Sequence, residues 1–323
     1  MIYRKMGNGI IAGNIHEVDS IDGIIFDCDG VLVDVSKSYD LAIRKTTQYV
    51  LKKFAGIKST PITAEIISGF KSSGGFNDEV DVTYASIISL VAANKMRVND
   101  KKLILRVIKN ADSTGIKSVE KFLDTLDVDL SDIRKRLDYP GERLTNPLYE
   151  IFDQIFYGPK LYKKIFKKKS QFAEAGLIDN DKVILTKKLL FTLEKKFGNN
   201  LAIVSGRGRE SVRYSLKELL DGFNLKGSMF LEDEPREMAK PNPKSLLFSI
   251  SKLGSKHCLY VGDSMEDIIM ANKVSKMGKK ITFCGIYGTS KDHHSKIRLL
   301  KGKAVPIILE SINLLPKALN LAK

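Results

Sequence analysis

The feature that most constrains the fold is a recurring one: short apolar runs that stop abruptly at polar or glycine residues. They are Gly23-Ile24-Ile25-Phe26, Leu201-Ala202-Ile203-Val204, Ser228-Met229-Phe230-Leu231, Cys258-Leu259-Tyr260-Val261, Ile281-Thr282-Phe283-Cys284 and Ala304-Val305-Pro306-Ile307-Ile308. A strand with one wet face alternates apolar and polar residues. Unbroken runs this short fit strands covered on both faces, as in a parallel sheet between layers of helix. Helical periodicity over 209–220 and 243–253 falls between the later runs. The alternation predicts a doubly wound, Rossmann-like α/β sheet.

Residues 36–176 read differently. No run of the same kind occurs there, and 39–54, 82–94, 101–110 and 147–156 are helix-compatible. The expected organisation is an α/β core from residues 1–35 and 177–323, interrupted by a mainly helical domain over 36–176. The first ~20 residues and 290–303 read as peripheral pieces of open role.

Composition narrows the class. Apolar residues make up 43% and charged residues 28% of the 323, the balance of a globular chain. No apolar run approaches the ~18 residues that would span a bilayer. The opening residues lack an apolar segment followed by a small-residue cleavage site, which argues against secretion. Cys28, Cys258 and Cys284 show no close pairing and no metal-ligand spacing, so reduced thiols and a cytoplasmic setting are expected. The formal charge of +15 suits either a solvated lysine-rich surface or attraction of small anions. The lysines are dispersed apart from 163–169, which reads as a solvated helix face, and no nucleic-acid-binding signature accompanies them.

Four short motifs carry the chemistry. The first is Phe26-Asp27-Cys28-Asp29-Gly30-Val31-Leu32-Val33-Asp34. It places two carboxylates one residue apart at the end of a buried strand, where ligands of open α/β sheets bind. A divalent cation would relieve their repulsion, and Gly30 permits a sharp turn; an exposed turn rich in Asp and Gly is the plainer alternative. The second, Val204-Ser205-Gly206-Arg207-Gly208, offers a hydroxyl and backbone N–H groups at a helix start, a phosphate cradle or simply a turn with an N-cap. The third, Met238-Ala239-Lys240-Pro241-Asn242-Pro243, fixes one lysine beside prolines, either as one more surface charge or as a cation aimed at a phosphoryl group. The fourth, Tyr260-Val261-Gly262-Asp263-Ser264-Met265-Glu266-Asp267, repeats the strand-then-acid pattern. It puts Asp263 and Asp267 four apart, on one face of any helix beginning there. Hard oxygen ligands of this kind suit Mg2+, and acids at a helix start also suit the helix dipole.

The four motifs in this order resemble the haloacid dehalogenase superfamily, whose pattern is D-x-D-G-x-[VIL]-x-[DS], then Ser or Thr, then Lys, then G-D-x-x-x-D. The resemblance covers ~20–35 and ~180–320, and a helical insertion just after the first motif resembles the branch that carries phosphoglycolate phosphatase and β-phosphoglucomutase. It implies an Mg2+-dependent phosphoric monoester hydrolase. In it Asp27 would be the nucleophile and Asp29 the general acid, then base. Mg2+ would be held by Asp27, the Asp29 carbonyl and Asp263, with Asp267 supporting. Ser205, Gly206 and Lys240 would receive the phosphoryl group. Asp29 weighs against carbon–halogen cleavage, because a departing halide needs no proton.

The inserted domain then implies a lid over a small phosphorylated metabolite such as a sugar phosphate. The loop Phe70-Lys71-Ser72-Ser73-Gly74-Gly75-Phe76-Asn77-Asp78 suggests Lys71 and Asn77 as specificity residues, or else a flexible interhelical connection. A phosphomutase using the same intermediate and a non-catalytic binding protein are the other readings. A monomer or homodimer is expected, with no membrane and no nucleic-acid partner.

Overall fold

The computed structural model describes residues 3–13, 18–58, 60–76 and 78–321. The chain divides into two compact units, Met1–Ser36 with Asp181–Lys323, and Lys37–Asn180.

The first unit is built on an eight-stranded sheet. Its strands are β1 (Arg4–Lys5), β2 (Ile10–Ala12), β3 (Gly23–Phe26), β6 (Leu201–Ser205), β7 (Met229–Phe230), β8 (His257–Gly262), β9 (Lys280–Ile286) and β10 (Ile307–Leu309). Two more, β4 (Val33–Asp34) and β5 (Lys182–Val183), pair antiparallel as a separate ribbon. The spatial order is β1-β2-β10-β9-β8-β3-β6-β7. From β10 to β7 all neighbours are parallel, so the α/β class holds. At the other edge the β1–β2 hairpin adds antiparallel strands, with Ile11 opposite Ile308. The opening residues, left without a role by sequence, thus cover an edge of the sheet.

The unbroken apolar runs are explained by burial on both faces. Ile24, Phe26, Leu201, Ile203, Leu259 and Val261 point into one core, which the helix Lys187–Phe197 closes through Leu189, Leu193 and Phe197. Ile25, Ala202, Val204, Cys258 and Tyr260 point into the other, against Leu246 and Ile250 of the helix Lys244–Leu253. Alternate residues serve opposite layers, so neither set tolerates a polar group without a partner. The segment 290–303 forms the helix His293–Gly302, whose Leu300 is buried.

The chain order reverses at β3, which lies between β8 and β6. Phe26 stands opposite Val261 on one side and Ile203 on the other. Asp27, Asp263 and Ser205 therefore follow or end three adjacent strands at their carboxyl edge, the place where such sheets bind ligands.

The second unit is helical. Among its described residues the α-helices are Tyr39–Val50, Ala64–Ser72, Glu79–Met96, Asp100–Asn110, Ile116–Leu123, Ser131–Leu137 and Pro147–Phe166. Glu79–Met96 is buried around most of its circumference from Val80 to Ala93, the mark of a central helix. Two expectations shift here. The stretch 70–78 is not simply a polar loop. The helix Ala64–Ser72 runs through Lys71 to Ser72, and Phe70 and Phe76 are buried with ring centroids 5.1 Å apart. The last helix does not stop at 156. It resumes beyond a break at Gly158 (φ 67°), where Pro159 begins the new turn without needing an N–H. Among the described residues no helix is long and apolar enough to cross a membrane.

Candidate active site

The turn after β3 is set by its own amides. The N–H groups of Val31, Leu32 and Val33 donate to the Cys28 carbonyl, and Gly30 N donates to Val33 O. Gly30 sits at φ +73°, and a Cβ there would lie 2.5 Å from Asp263 Oδ2. Glycine is needed twice over: for the left-handed backbone, and to leave room for the carboxylate of the neighbouring strand end. Gly262 meets the second need alone, since a Cβ would fall 2.6 Å from Asp267 Oδ2.

Asp27 is buried, and its Oδ1 accepts from the Cys28 amide at 2.7 Å and from Lys240 Nζ at 2.8 Å. The same ammonium reaches Asp267 Oδ1 at 2.8 Å, with its side chain only 1% exposed. Asp27, Asp263 and Asp267 each offer an oxygen, and these oxygens lie within 4.8 Å of one another. Asp263 is the more open of the three, half-buried, with Lys296 Nζ 3.9 Å from its Oδ2. Three of the four motifs thus meet through side chains of one cluster.

Asp267 is fully engaged. Its Oδ1 accepts from Tyr260 Oη at 2.5 Å as well as from Lys240. Its Oδ2 accepts from the amides of Asp263 and Ser264 and from Ser264 Oγ. Ser264 Oγ in turn accepts from Asp267 N, a reciprocal cap on the helix Met265–Lys276. This carboxylate orients Lys240 and the β8 loop.

The electrostatics follow from burial. Burial pushes the Asp27 carboxyl well above the usual carboxylate range, with Lys240 opposing and the neighbouring acids adding to the rise. Burial would also raise Asp267, but the charge and hydrogen bond of Lys240, with those of Tyr260 and Ser264, hold it below its ordinary value. Burial alone would lower Lys240, yet Asp267 and Asp27 hold it well above the usual ammonium range. Three clustered carboxylates share one buried ammonium, so the cluster lacks positive charge, and its hard oxygen donors can take a divalent cation.

Ser205 closes β6 and is fully buried; its Oγ accepts from Arg207 N at 3.1 Å, which leaves the hydroxyl proton to donate. Gly206 follows, exposed. Two of the amides expected to be open at the next helix start are already taken. Gly208 N donates to Glu232 Oε2 at 3.0 Å and Arg209 N to Asp233 Oδ2 at 2.8 Å. Acids just beyond β7 have taken those two donors, while Ser205 and Gly206 keep theirs.

Asp29 is half-buried, with its Oδ1 2.7 Å from Nε of the fully buried Arg207. Sequence reasoning quoted Arg207 within its motif and gave it no task. Its signal is positional: a long cation between two glycines, directly after a buried strand. Tyr260 and Lys296 were also missed, one inside an apolar run and the other in a segment of open role. Thr289 Oγ1, which donates to the Gly30 carbonyl at 3.0 Å, was missed as well. Lys71 belongs to the helical unit and pairs with Glu79 at 2.8 Å. Asn77 lies outside the described residues.

The parallel sheet and the carboxylate cluster at its switch point define an α/β protein with an acidic, cation-accepting site. The sequence matches the family model described as haloacid dehalogenase-like hydrolase over residues 21–274, and the chain belongs to that family. Among solved structures it is similar to a phosphatase, Tt82, from Thermococcus thioreducens, at 22% identity and a TM-score of 0.56, over 86% of this chain and 99% of that one. It is also similar to a hydrolase from Pseudomonas syringae, at 19% identity and a TM-score of 0.51, over 94% and 100% of the two chains. At these identities the likenesses establish the fold. No curated protein matches the sequence.

Proposed function

We propose that the protein is an Mg2+-dependent phosphatase that hydrolyses a small phosphate monoester through an aspartyl-phosphate on Asp27. The observation that carries this reading is the Lys240 ammonium, 2.8 Å from both Asp27 and Asp267 inside a buried carboxylate cluster. Phosphoryl transfer asks mainly for position and compensation of charge, and this cluster supplies both. The Asp27 carboxylate, oriented by the Cys28 amide and Lys240, attacks phosphorus. Asp29 gives a proton to the leaving oxygen and later takes one from the water that cleaves the acyl phosphate. Ser205 donates to a phosphoryl oxygen, and Lys240 balances charge on both partners. Mg2+ would be held by Asp27, the Asp29 carbonyl and Asp263, supplying positive charge against the phosphoryl oxygens when bound, while Asp267 orients Lys240. The helical unit is read as the cap that selects the leaving group, with Lys71 and Asn77 as specificity candidates. The Thermococcus phosphatase of similar fold is consistent with phosphate chemistry.

The test is phosphate release from a panel of phosphorylated metabolites with and without Mg2+. Asp27→Asn keeps the shape and removes the nucleophile, so a loss of at least ~10³-fold is expected. Near-wild-type turnover by that variant sinks the proposal. Turnover of a sugar phosphate without phosphate release points instead to a mutase.

A further inference from the structure

Arg207 heads the fully buried side chains by volume, and its guanidinium has two acidic neighbours. Nε lies 2.7 Å from Asp29 Oδ1, and Nη1 lies 2.8 Å from Asp181 Oδ2. Nη1 also donates to Ser215 Oγ at 2.9 Å, and that hydroxyl donates to Asp181 Oδ2 at 2.8 Å. The backbone amide of the same residue donates to Ser205 Oγ. One residue therefore touches the acid of the first motif and the hydroxyl of the second.

Burying a guanidinium costs several kcal/mol before its partners offset the loss. Asp181, itself almost fully buried, suffices to neutralise it. The second carboxylate is not needed for charge. The backbone of the turn is already fixed by the amides that bond Cys28 O, but nothing in that ladder stops the Asp29 side chain from rotating. The ion pair from Nε of a guanidinium anchored from behind by Asp181 and Ser215 restrains it.

From this geometry we infer that Arg207 is a positioning residue: with Asp181 and Ser215 it fixes the Asp29 carboxyl in the orientation that serves the leaving group. The inference rests on the acid–base reading of Asp29 given above. Displacing a reacting group by about 1 Å costs on the order of 10²-fold, and the loss falls on the step that needs a proton. A phenolate such as p-nitrophenolate departs without one; an alkoxide does not.

The experiment compares kcat/KM for p-nitrophenyl phosphate and for a simple alkyl phosphate, so that only steps up to transfer onto Asp27 are read. Arg207→Met combined with Asp181→Asn removes the fully buried charge pair together and leaves only the half-buried Asp29 without its cation. Its loss on the alkyl ester should be about 10²-fold, against less than ~5-fold on the aryl ester. Ser215→Ala, which only loosens the anchor, should show the same selectivity at roughly 3–10-fold, and it decides the matter if the double variant does not fold. Equal losses on the two esters, or none on either, overturn the inference and leave Arg207 a structural ion pair. Failure of the phosphatase reading shows separately, as wild-type protein that releases phosphate from neither ester or as Asp27→Asn that retains turnover.

Discussion

Replacing Lys240 by methionine tests the electrostatic account of the site directly, because the stem is kept and the charge removed. In the native cluster Asp27, Asp263 and Asp267 face one buried ammonium, formally −2 before the half-buried Lys296 beside Asp263 is counted, with Lys240 Nζ 2.8 Å from two of the carboxylates. At an effective dielectric constant of about 20, each contact is worth about 6 kcal/mol gross. Most of that offsets the cost of burying the charges. The net loss on deleting one partner of a buried pair is about 3–5 kcal/mol. At about 2 °C per kcal/mol for a chain of this length, Lys240→Met should melt ~6–10 °C below wild type without metal. The variant cluster is formally −3, so a divalent cation gains more from it. Millimolar Mg2+ should therefore raise the melting temperature of the variant by more than that of wild type. Turnover should still fall at least ~10²-fold with Mg2+ present, since the attacking and transferred groups lose their fixed cation. Differential scanning calorimetry with EDTA and with Mg2+, beside a phosphate-release assay, reads all three quantities. A metal-free variant melting within ~2 °C of wild type, or an equal Mg2+ shift in both proteins, would refute the reasoning.

Two further substitutions probe other parts of the design. Gly30→Ala places a Cβ 2.5 Å from Asp263 Oδ2 at φ +73°. The backbone cost is about 1–2 kcal/mol, and displacement of the carboxylate should raise the Mg2+ concentration for half-maximal activity at least ~10-fold; a Mg2+ titration of turnover within twofold of wild type would exclude this role. Asp22, just before β3, accepts from Ser255 Oγ and from the amides of Lys256 and His257. Burial tends to raise its carboxyl, but these bonds outweigh it and depress the folded value. A depressed carboxylate contributes stability above its unfolded value and loses it as pH falls through the folded one. Asp22→Asn should thus cost about 1–2 kcal/mol in urea unfolding at pH 7, with the gap closing as pH falls below the usual carboxylate range. A gap independent of pH would mean that the charge is not what matters.

How much of this could be read from sequence depended on where each partner lies along the chain. The β3, β6, β8 and β9 runs were legible because a strand buried on both faces needs no alternation and carries its signal locally. Arg4–Lys5 and Ile10–Ala12 carry none; they become strands only because β10 offers an open edge, with Ile308 opposite Ile11. Three of the four motifs stood out for the same local reason, each directly following an apolar run, and Lys240 stood out beside its prolines. What failed was the account of who bonds whom. The amides of Gly208 and Arg209 read as open donors because nothing nearby in sequence takes them, while Glu232 and Asp233 approach from the far end of the next strand. Arg207 escaped notice because its meaning needs Asp29 and Asp181, more than 20 residues away on either account.

Those captured amides bear on how the site meets an anion. Phosphate sites in α/β proteins often rest on the open amides and positive dipole of a helix start. Here the helix Arg209–Leu216 begins with amides given to Glu232 and Asp233, and Met265–Lys276 begins under its Ser264–Asp267 cap. Protein carboxylates have answered both dipoles already. Around the strand ends, Asp27, Asp29, Asp181, Asp263 and Asp267 stand against Lys240, Arg207 and Lys296: five carboxylates to three cations, formally −2. A phosphate dianion approaching that charge is repelled, whatever the +15 of the whole chain, because surface lysines are screened within about 10 Å. The same arrangement that disfavours a bare anion favours a divalent cation, whose two charges bring the cluster to neutrality. Under the proposed function, Lys240 would then add a net attraction for the phosphoryl group. Under the same proposal, the negative balance of these strand-end carboxylates would favour cation before ester.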